Sequence, residues 1–193
     1  MSRAVIIAGA VVALAAAFFA ALGRGRGGRS PRRRFGPEYD RPVTRHKGDT
    51  MAAGRELGAR MKQHGAVKEQ PLPAGAREQY AAQWAGIQQR FVDSPQESVT
   101  EADALLARLA KDRGFPGGGP FEEQLAALSV HHASHVDGYR RMHRAVDGQE
   151  STEEMRRAMI EGRGLFDALV AEHPDDSRRH PPGRHHAKGS GPR

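Results

Sequence analysis

The residues that come closest to a chemical site are histidines. His131 and His135 are four residues apart, so on a helix they lie one turn apart and could share a metal ion. A third ligand is needed, but His143 is eight residues further on, about 12 Å along a helix axis. In the alternative interpretation, His132 and His135 form hydrogen bonds at a helix seam and His131 faces solvent. The sequence therefore offers His131 and His135 only as candidates and predicts no bound metal or other cofactor.

Other catalytic signatures are missing from the sequence. Gly117–Gly119 is not followed by the Gly-Lys-Ser/Thr of a phosphate loop, and no Gly-x-Ser-x-Gly elbow occurs. The chain has no cysteine, which excludes disulfides, thiolate nucleophiles and cysteine zinc sites. Glu122-Glu123 and Glu153-Glu154 fall in first turns of predicted helices, where carboxylates favour the helix dipole. These features predict a protein that is not an enzyme.

The positive charge lies at the two ends of the chain. The net charge is +7, residues 1–34 hold seven arginines and no acid, and residues 173–193 carry a net +3. The region between therefore has a net charge of −3. A nucleic-acid-binding domain normally carries its basic patch on the folded part, so no nucleic-acid partner is expected.

Residues 4–22 form an unbroken apolar run of 19 residues. This length fits one crossing of a bilayer, so residues 1–23 are predicted to be a transmembrane helix. The alternative is a cleaved signal peptide, for which Arg3 is a thin basic region and the apolar run is long.

Residues 24–34 are an Arg/Gly-rich segment beside this run. Positive charge next to a span tends to stay in the cytoplasm, which favours a single-pass membrane protein with its helical domain inside. The alternative is a secreted or extracytoplasmic domain. These arginines also suit contact with anionic lipid headgroups; they are Arg24, Arg26, Arg29, Arg32, Arg33 and Arg34.

Residues 35–172 show helix signals throughout. Asp49 or Thr50 can cap a helix that runs to His64. Three apolar stripes follow at steps of three and four: Tyr80, Trp84, Ile87 and Phe91; Val99, Ala102, Leu106 and Leu109; and Met155, Met159, Gly162, Phe166 and Leu169.

Two capping boxes and one long stripe complete this pattern. Ser94–Glu97 and Ser151–Glu154 are predicted helix starts. The alternating steps from Phe121 to Val146 predict a single helix of some seven turns. Pro42 is expected to break or kink a short helix opened by Pro37. The predicted fold is therefore an all-α antiparallel bundle over residues 35–172, followed by a disordered tail over residues 173–193 that is rich in Pro, Gly, Arg and His.

Several of these segments resemble a family of uncharacterised actinobacterial proteins that are small and secreted or membrane-bound. The resemblance rests on Phe35-Gly36-Pro37-Glu38-Tyr39-Asp40-Arg41, on Gly54-Arg55-Glu56-Leu57, on Trp84 through Ile87-Gln88 to Phe91-Val92-Asp93-Ser94-Pro95, and on Ser151-Thr152-Glu153. It extends to Leu165-Phe166 and implies an apolar amino terminus, an Arg-rich flank and a helical remainder. It implies no activity, and Pro42 departs from the continuous helix expected of relatives.

Three functions are compatible with the sequence. The leading hypothesis is a membrane-anchored, non-enzymatic helical bundle that binds an unidentified protein partner or supports an envelope-associated assembly. The second is a secreted bundle released by signal cleavage. The third is a metal-dependent activity at His131 and His135. If the stripe from Tyr80 to Phe91 is wholly buried, partner binding loses that surface.

Overall fold

A computed structural model describes residues 31–171 of the chain. Over these residues the chain forms helices and no strand, which confirms the all-α class. The elements are α1 (Pro31–Phe35), a 3-10 turn (Gly36–Tyr39), α2 (Asp40–Arg45), α3 (Thr50–His64), α4 (Ala76–Arg90), α5 (Pro95–Asp112), α6 (Phe121–His131), α7 (Val136–Ala145) and α8 (Thr152–Val170).

Helix α5 is the centre of the main core, because α4, α7 and α8 all pack against it. Its predicted stripe of Val99, Ala102, Leu106 and Leu109 is completely buried. The α4 stripe is also confirmed, since Trp84 stacks on Phe166 of α8 with ring centroids 4.6 Å apart. The α8 stripe is buried in the same way. Amphipathic periodicity therefore identified the core faces of these helices correctly.

Two glycines lie where helices α7 and α8 pack against each other. A Cβ atom on Gly138 would collide with the backbone carbonyl of Glu161, and one on Gly162 would collide with the methyl group of Met142. Because glycine has no side chain, the Glu161 backbone and the Met142 side chain can occupy the space that a Cβ atom would take at these two positions.

A second, smaller core holds the segment that begins at Phe35. Phe35 packs with Leu57 of α3 and Val130 of α6. Above this contact the Glu38 carboxylate, whose side chain is 1 % exposed, accepts hydrogen bonds from two arginines. Arg140 of α7 donates from Nη2 at 2.9 Å and from Nη1 at 3.3 Å, and Arg60 of α3 donates at 3.2 Å.

The predicted single helix from Phe121 to Val146 is wrong. The helix ends at His131 and a new one begins at Val136, with the amides of His135 and Val136 both bonded to the carbonyl of His132. Tertiary contacts of the histidines accompany this break. His131 Nε2 lies 3.1 Å from the carbonyl oxygen of His64, and His132 Nε2 lies 3.0 Å from Glu69 Oε1.

Glu69 also holds a buried arginine at this corner of the bundle. Arg113 is 1 % exposed, and its Nη2 donates to Glu69 Oε2 at 3.0 Å. Its Nε and Nη1 have no hydrogen-bond partner among the described residues. The amide of Gln70 donates to the Arg113 carbonyl at 2.8 Å, so the segment between α3 and α4 is fixed to the end of α5.

The predicted helix starts had different outcomes. Asp49 caps α3 as expected, since its carboxylate accepts from the amides of Met51 and Ala52. The Ser151–Glu154 capping box is confirmed in both directions. At Ser94 the predicted helix start is confirmed, since α5 begins at Pro95 with Ser94 as its N-cap residue, but the predicted capping bond of the Ser94 side chain does not form.

Pro42 does not prevent a helix. It lies in the first turn of α2, where a proline costs no intrahelical hydrogen bond, and the break falls earlier, in the 3-10 turn.

Within residues 31–171 no helix is long and apolar enough to cross a membrane. The predicted transmembrane segment, residues 4–22, lies outside the described residues, as do the predicted tail and Arg24, Arg26 and Arg29. Arg32, Arg33 and Arg34 lie on α1 and are exposed.

Candidate functional site

A cleft in the described part of the chain is formed by α5, α7, the start of α6 and the loop that precedes α6. Its volume is about 720 Å³. We call it the α5–α7 cleft. The lining residues used below are Asp103, Arg108, Lys111, Glu123, Tyr139 and His143, with the loop Gly117–Gly119 and the ring of Phe121.

An aspartate and a histidine of the cleft lining are in direct contact. His143 Nδ1 of α7 lies 3.0 Å from Asp103 Oδ2 of α5. On its other side the imidazole stacks on Phe121, with ring centroids 3.6 Å apart and planes inclined by 8°. The two contacts fix the orientation of the ring. Because Nδ1 is engaged by the carboxylate, Nε2 is the ring nitrogen left for a ligand.

The Asp103 carboxyl is poorly solvated, with its side chain only 15 % exposed. Burial raises the pKa of Asp103 above its ordinary value, and the hydrogen bond with His143 offsets this only in part. The second oxygen, Oδ1, is buried without a hydrogen-bond partner among the described residues. His143 is therefore the hydrogen-bond partner that offsets part of the cost of burying this carboxylate.

The floor of the cleft is formed by side chains whose polar groups are hydrogen-bonded to one another and to the backbone. The Tyr139 hydroxyl donates to Gln124 Oε1 at 3.0 Å. The Gln124 amide donates to the carbonyls of Pro116 at 2.7 Å and Ala107 at 3.2 Å. Burial, together with the charge of Asp103, raises the pKa of Tyr139. These bonds tie α5, α6, α7 and the loop together, so the cleft is a fixed feature of the bundle.

The Asp103–His143 pair gives the cleft an imidazole that is held in a fixed orientation. An Asp–His pair can hold an imidazole as a general base, but none of the lining residues is a serine, threonine or cysteine that such a base could activate. No group of three histidines, cysteines, aspartates or glutamates within residues 31–171 could hold a metal ion.

The helical spacing on which the candidate metal pair rested is wrong. His131 is the last residue of α6 and His135 precedes α7, so the two residues are not one turn apart on one helix. His131 is half-buried against the edge of Phe115. The alternative interpretation, in which His131 faces solvent, is therefore wrong as well. His135 lies against Gly164 of α8, where its Nδ1 would be 3.0 Å from a Cβ atom on that glycine.

Comparison with protein-family models, with curated proteins and with solved structures gave no match.

Sequence reasoning missed the pair that defines the cleft. The spacing of the histidines makes His143 only a distant metal ligand, and no motif singles out Asp103. The one available signal was an acid, Asp103, directly beside the buried Ala102 on a helix with an apolar stripe. Such a position places a carboxylate at the edge of the core, where it needs a partner.

The pKa of Asp103 gives a prediction with a definite sign. Since its folded-state pKa lies above the unfolded value, the stability that this group contributes falls as pH rises through that interval. Removing the charge in Asp103→Asn is therefore expected to leave the free energy of unfolding at pH 7 unchanged or higher. His143→Ala should lower it by about 1–3 kcal/mol, because the buried carboxylate loses its partner. Urea unfolding of both variants at pH 7 measures the difference, and equal losses would contradict the assignment.

Proposed function

We propose that this chain is a membrane-tethered helical bundle that acts as a non-enzymatic binding module and takes its partner in the α5–α7 cleft. The observation that carries the proposal is the cleft itself. It combines about 720 Å³ of space with an oriented imidazole, a basic wall and a fixed floor. A preformed cleft with a small number of convergent polar groups is typical of a ligand site.

The apolar stripe of α4 does not serve as the binding surface. Tyr80, Trp84 and Ile87 are at most 7 % exposed, and Phe91 is half-buried. Among residues 31–171 the large exposed apolar side chains are single residues on α3, on the turn after α4 and on α8, namely Met51, Val92 and Ile160. Partner binding through an apolar groove of α4 is therefore not part of the proposal, and the cleft takes its place.

The tether is the predicted span of residues 4–22, flanked by the arginines that suit anionic headgroups. The proposed orientation has the helical domain in the cytoplasm; the alternative is a secreted domain after signal cleavage. Reporter fusions after Arg34 and after His173, read with the intact mass of membrane-fraction protein, test this. An uncut chain with both reporters inside supports the tether, whereas a mature terminus near Phe18 or Ala21 replaces it with secretion.

Site-specific photocrosslinking tests whether the cleft binds a partner. A benzophenone amino acid is placed at Glu123, an exposed residue of the cleft, and separately at Glu153, an exposed residue at the start of α8. After irradiation in a bacterial host, we expect an adduct by intact mass or by gel from position 123 and little from position 153.

A pair of tryptophan variants controls for the cleft. Ala107→Trp should fill it and abolish the adduct, while Ala104→Trp should not. Ala104 lies on the same helix but lines a separate groove between α4 and α5. No adduct at position 123, or one that survives Ala107→Trp, would refute binding in the cleft.

A further inference from the structure

We propose that the ligand held in the α5–α7 cleft carries a phosphate group. This inference rests on the proposed function and specifies its ligand. It follows from the hydrogen-bond donors and the two cations that line the cleft beside the acids Asp103 and Glu123. The donors come from three elements: two side chains of α5, the backbone of the loop before α6, and His143 of α7.

The α5 wall presents two cations one turn apart. Neither Arg108 nor Lys111 has a carboxylate partner among the described residues. Arg108 donates instead to the neutral Gln83 Oε1 at 3.2 Å, and Lys111 makes no side-chain hydrogen bond there. Both cations line the cleft without such a partner, so their charge is available to a ligand.

The loop brings backbone donors to the same place. The amides of Gly117, Gly118 and Gly119 donate no hydrogen bond to any described residue. A Cβ atom on Gly117 would lie 2.8 Å from Cβ and Cγ of Lys111, so the absence of a side chain lets the loop rest on the lysine stem. The loop then leads into the amino terminus of α6, whose dipole adds partial positive charge.

His143 closes the opposite side. Its Nδ1 is held by Asp103, and Nε2 remains for the ligand. A guanidinium, an ammonium, an imidazole and free amides together offer more donors than the two oxygens of a carboxylate can accept. A phosphate group has three or four strong acceptor oxygens and a charge near −2, and so matches this set better.

Two acids of the cleft lining oppose an anionic ligand. Asp103 is engaged by His143, so Glu123 is the acid that provides the test. Glu123 lines the cleft, and its Oε2 would be 3.3 Å from a Cβ atom on Gly119, so a carboxylate lies beside the loop amides. Neutralising it should strengthen phosphate binding. Neutralising Glu122, which is also exposed and lies outside the cleft, should not.

The test uses the full chain in a neutral maltoside detergent, titrated with inorganic phosphate and with glycerol 3-phosphate. Binding is measured by calorimetry and by the ring ¹⁵N signals of His143. We expect saturable binding that Lys111→Gln weakens about tenfold and Glu123→Gln strengthens about threefold. Lys62→Gln, an exposed lysine on α3, and Glu122→Gln should each change it less than about twofold.

A second arm distinguishes the source of the phosphate. The full chain is placed in phosphatidylcholine nanodiscs with and without phosphatidic acid. A change in the His143 ring ¹⁵N signals that requires both phosphatidic acid and Lys111 supports a lipid headgroup. A change seen only with inorganic phosphate or glycerol 3-phosphate supports a soluble ligand. If neither arm shows binding, or if Lys111→Gln and Lys62→Gln weaken it equally, the phosphate inference is overturned. If the adduct at position 123 still forms and is lost in Ala107→Trp, the binding-module proposal survives that result.

Discussion

Replacing Glu69 with glutamine is expected to lower the free energy of unfolding by about 3–5 kcal/mol. Arg113 is 1 % exposed, and Glu69 is its carboxylate partner within the described part of the chain. Two of its nitrogens already lack an acceptor there, so the variant leaves a buried guanidinium with no compensating charge. Chemical unfolding followed by circular dichroism at pH 7 measures the loss.

Two further variants show whether this loss comes from the buried charge. Glu153→Gln removes a carboxylate that pairs with Arg156 at 2.8 Å on the surface, and it should change stability little. Adding Arg113→Met to Glu69→Gln should recover part of the loss, since the uncompensated charge is then gone. A loss in Glu69→Gln no larger than that in Glu153→Gln would contradict the assignment.

The Glu69 carboxylate also makes the free energy of unfolding of the wild-type protein sensitive to acid. Burial raises the pKa of Glu69, but its contacts with His132 and Arg113 outweigh burial and bring the pKa down to about 2. Because the folded-state pKa is below the unfolded value of about 4.5, this stability is present above pH 4.5 and is lost as pH falls towards 2. Unfolding between pH 6 and pH 3 should therefore be less pH-dependent in Glu69→Gln than in the wild type.

Glu38→Gln is expected to cost about 3 kcal/mol, at the lower end of the range for a broken buried pair. Both arginines keep other acceptors: Arg60 contacts Glu56 at 2.9 Å and Ser129 at 3.0 Å, and Arg140 contacts Asp137 at 3.0 Å. The effect should concentrate in the segment that Glu38 fixes to α3 and α7. We expect faster amide hydrogen exchange in α2, followed by mass spectrometry.

Asp40→Asn is the matched control for this segment. Asp40 is an exposed acid two residues away, in the first turn of α2, and its side chain makes no hydrogen bond or ion pair with any described residue. Its replacement should leave exchange in α2 nearly unchanged. If Glu38→Gln and Asp40→Asn accelerate exchange equally, the buried network does not hold the segment.

Much of the fold could be predicted because its signals are local. The stripes of α4, α5 and α8 are repeats of three and four residues, which any helix converts into one apolar face. The Ser151–Glu154 box was readable for the same reason, since both of its bonds join residues three apart. The similar pattern at Ser94 marked the start of α5 correctly, although the Ser94 hydroxyl makes no capping bond.

The candidate site was not predictable in this way. The stripe from Phe121 to Val146 continues with correct spacing through the break, and periodicity alone therefore predicted one helix. Contacts of His131 and His132 with His64 and Glu69, made across long stretches of sequence, accompany the end of α6. The same separation hid the cleft, because Asp103 and His143 lie 40 residues apart.

The sequence by itself determined the helical class, the buried faces of the helices that form the core, and the concentration of arginine beside an apolar run. Each of these follows from residue type and short-range spacing, which fix local backbone preference and the side of a helix that leaves water. Only the tertiary structure decided which charges are buried and with whom they pair. Glu38 meets Arg140 across 102 residues and Glu69 meets Arg113 across 44. Such pairs form where packing brings distant helices together, and the cost of a buried charge then selects the partner.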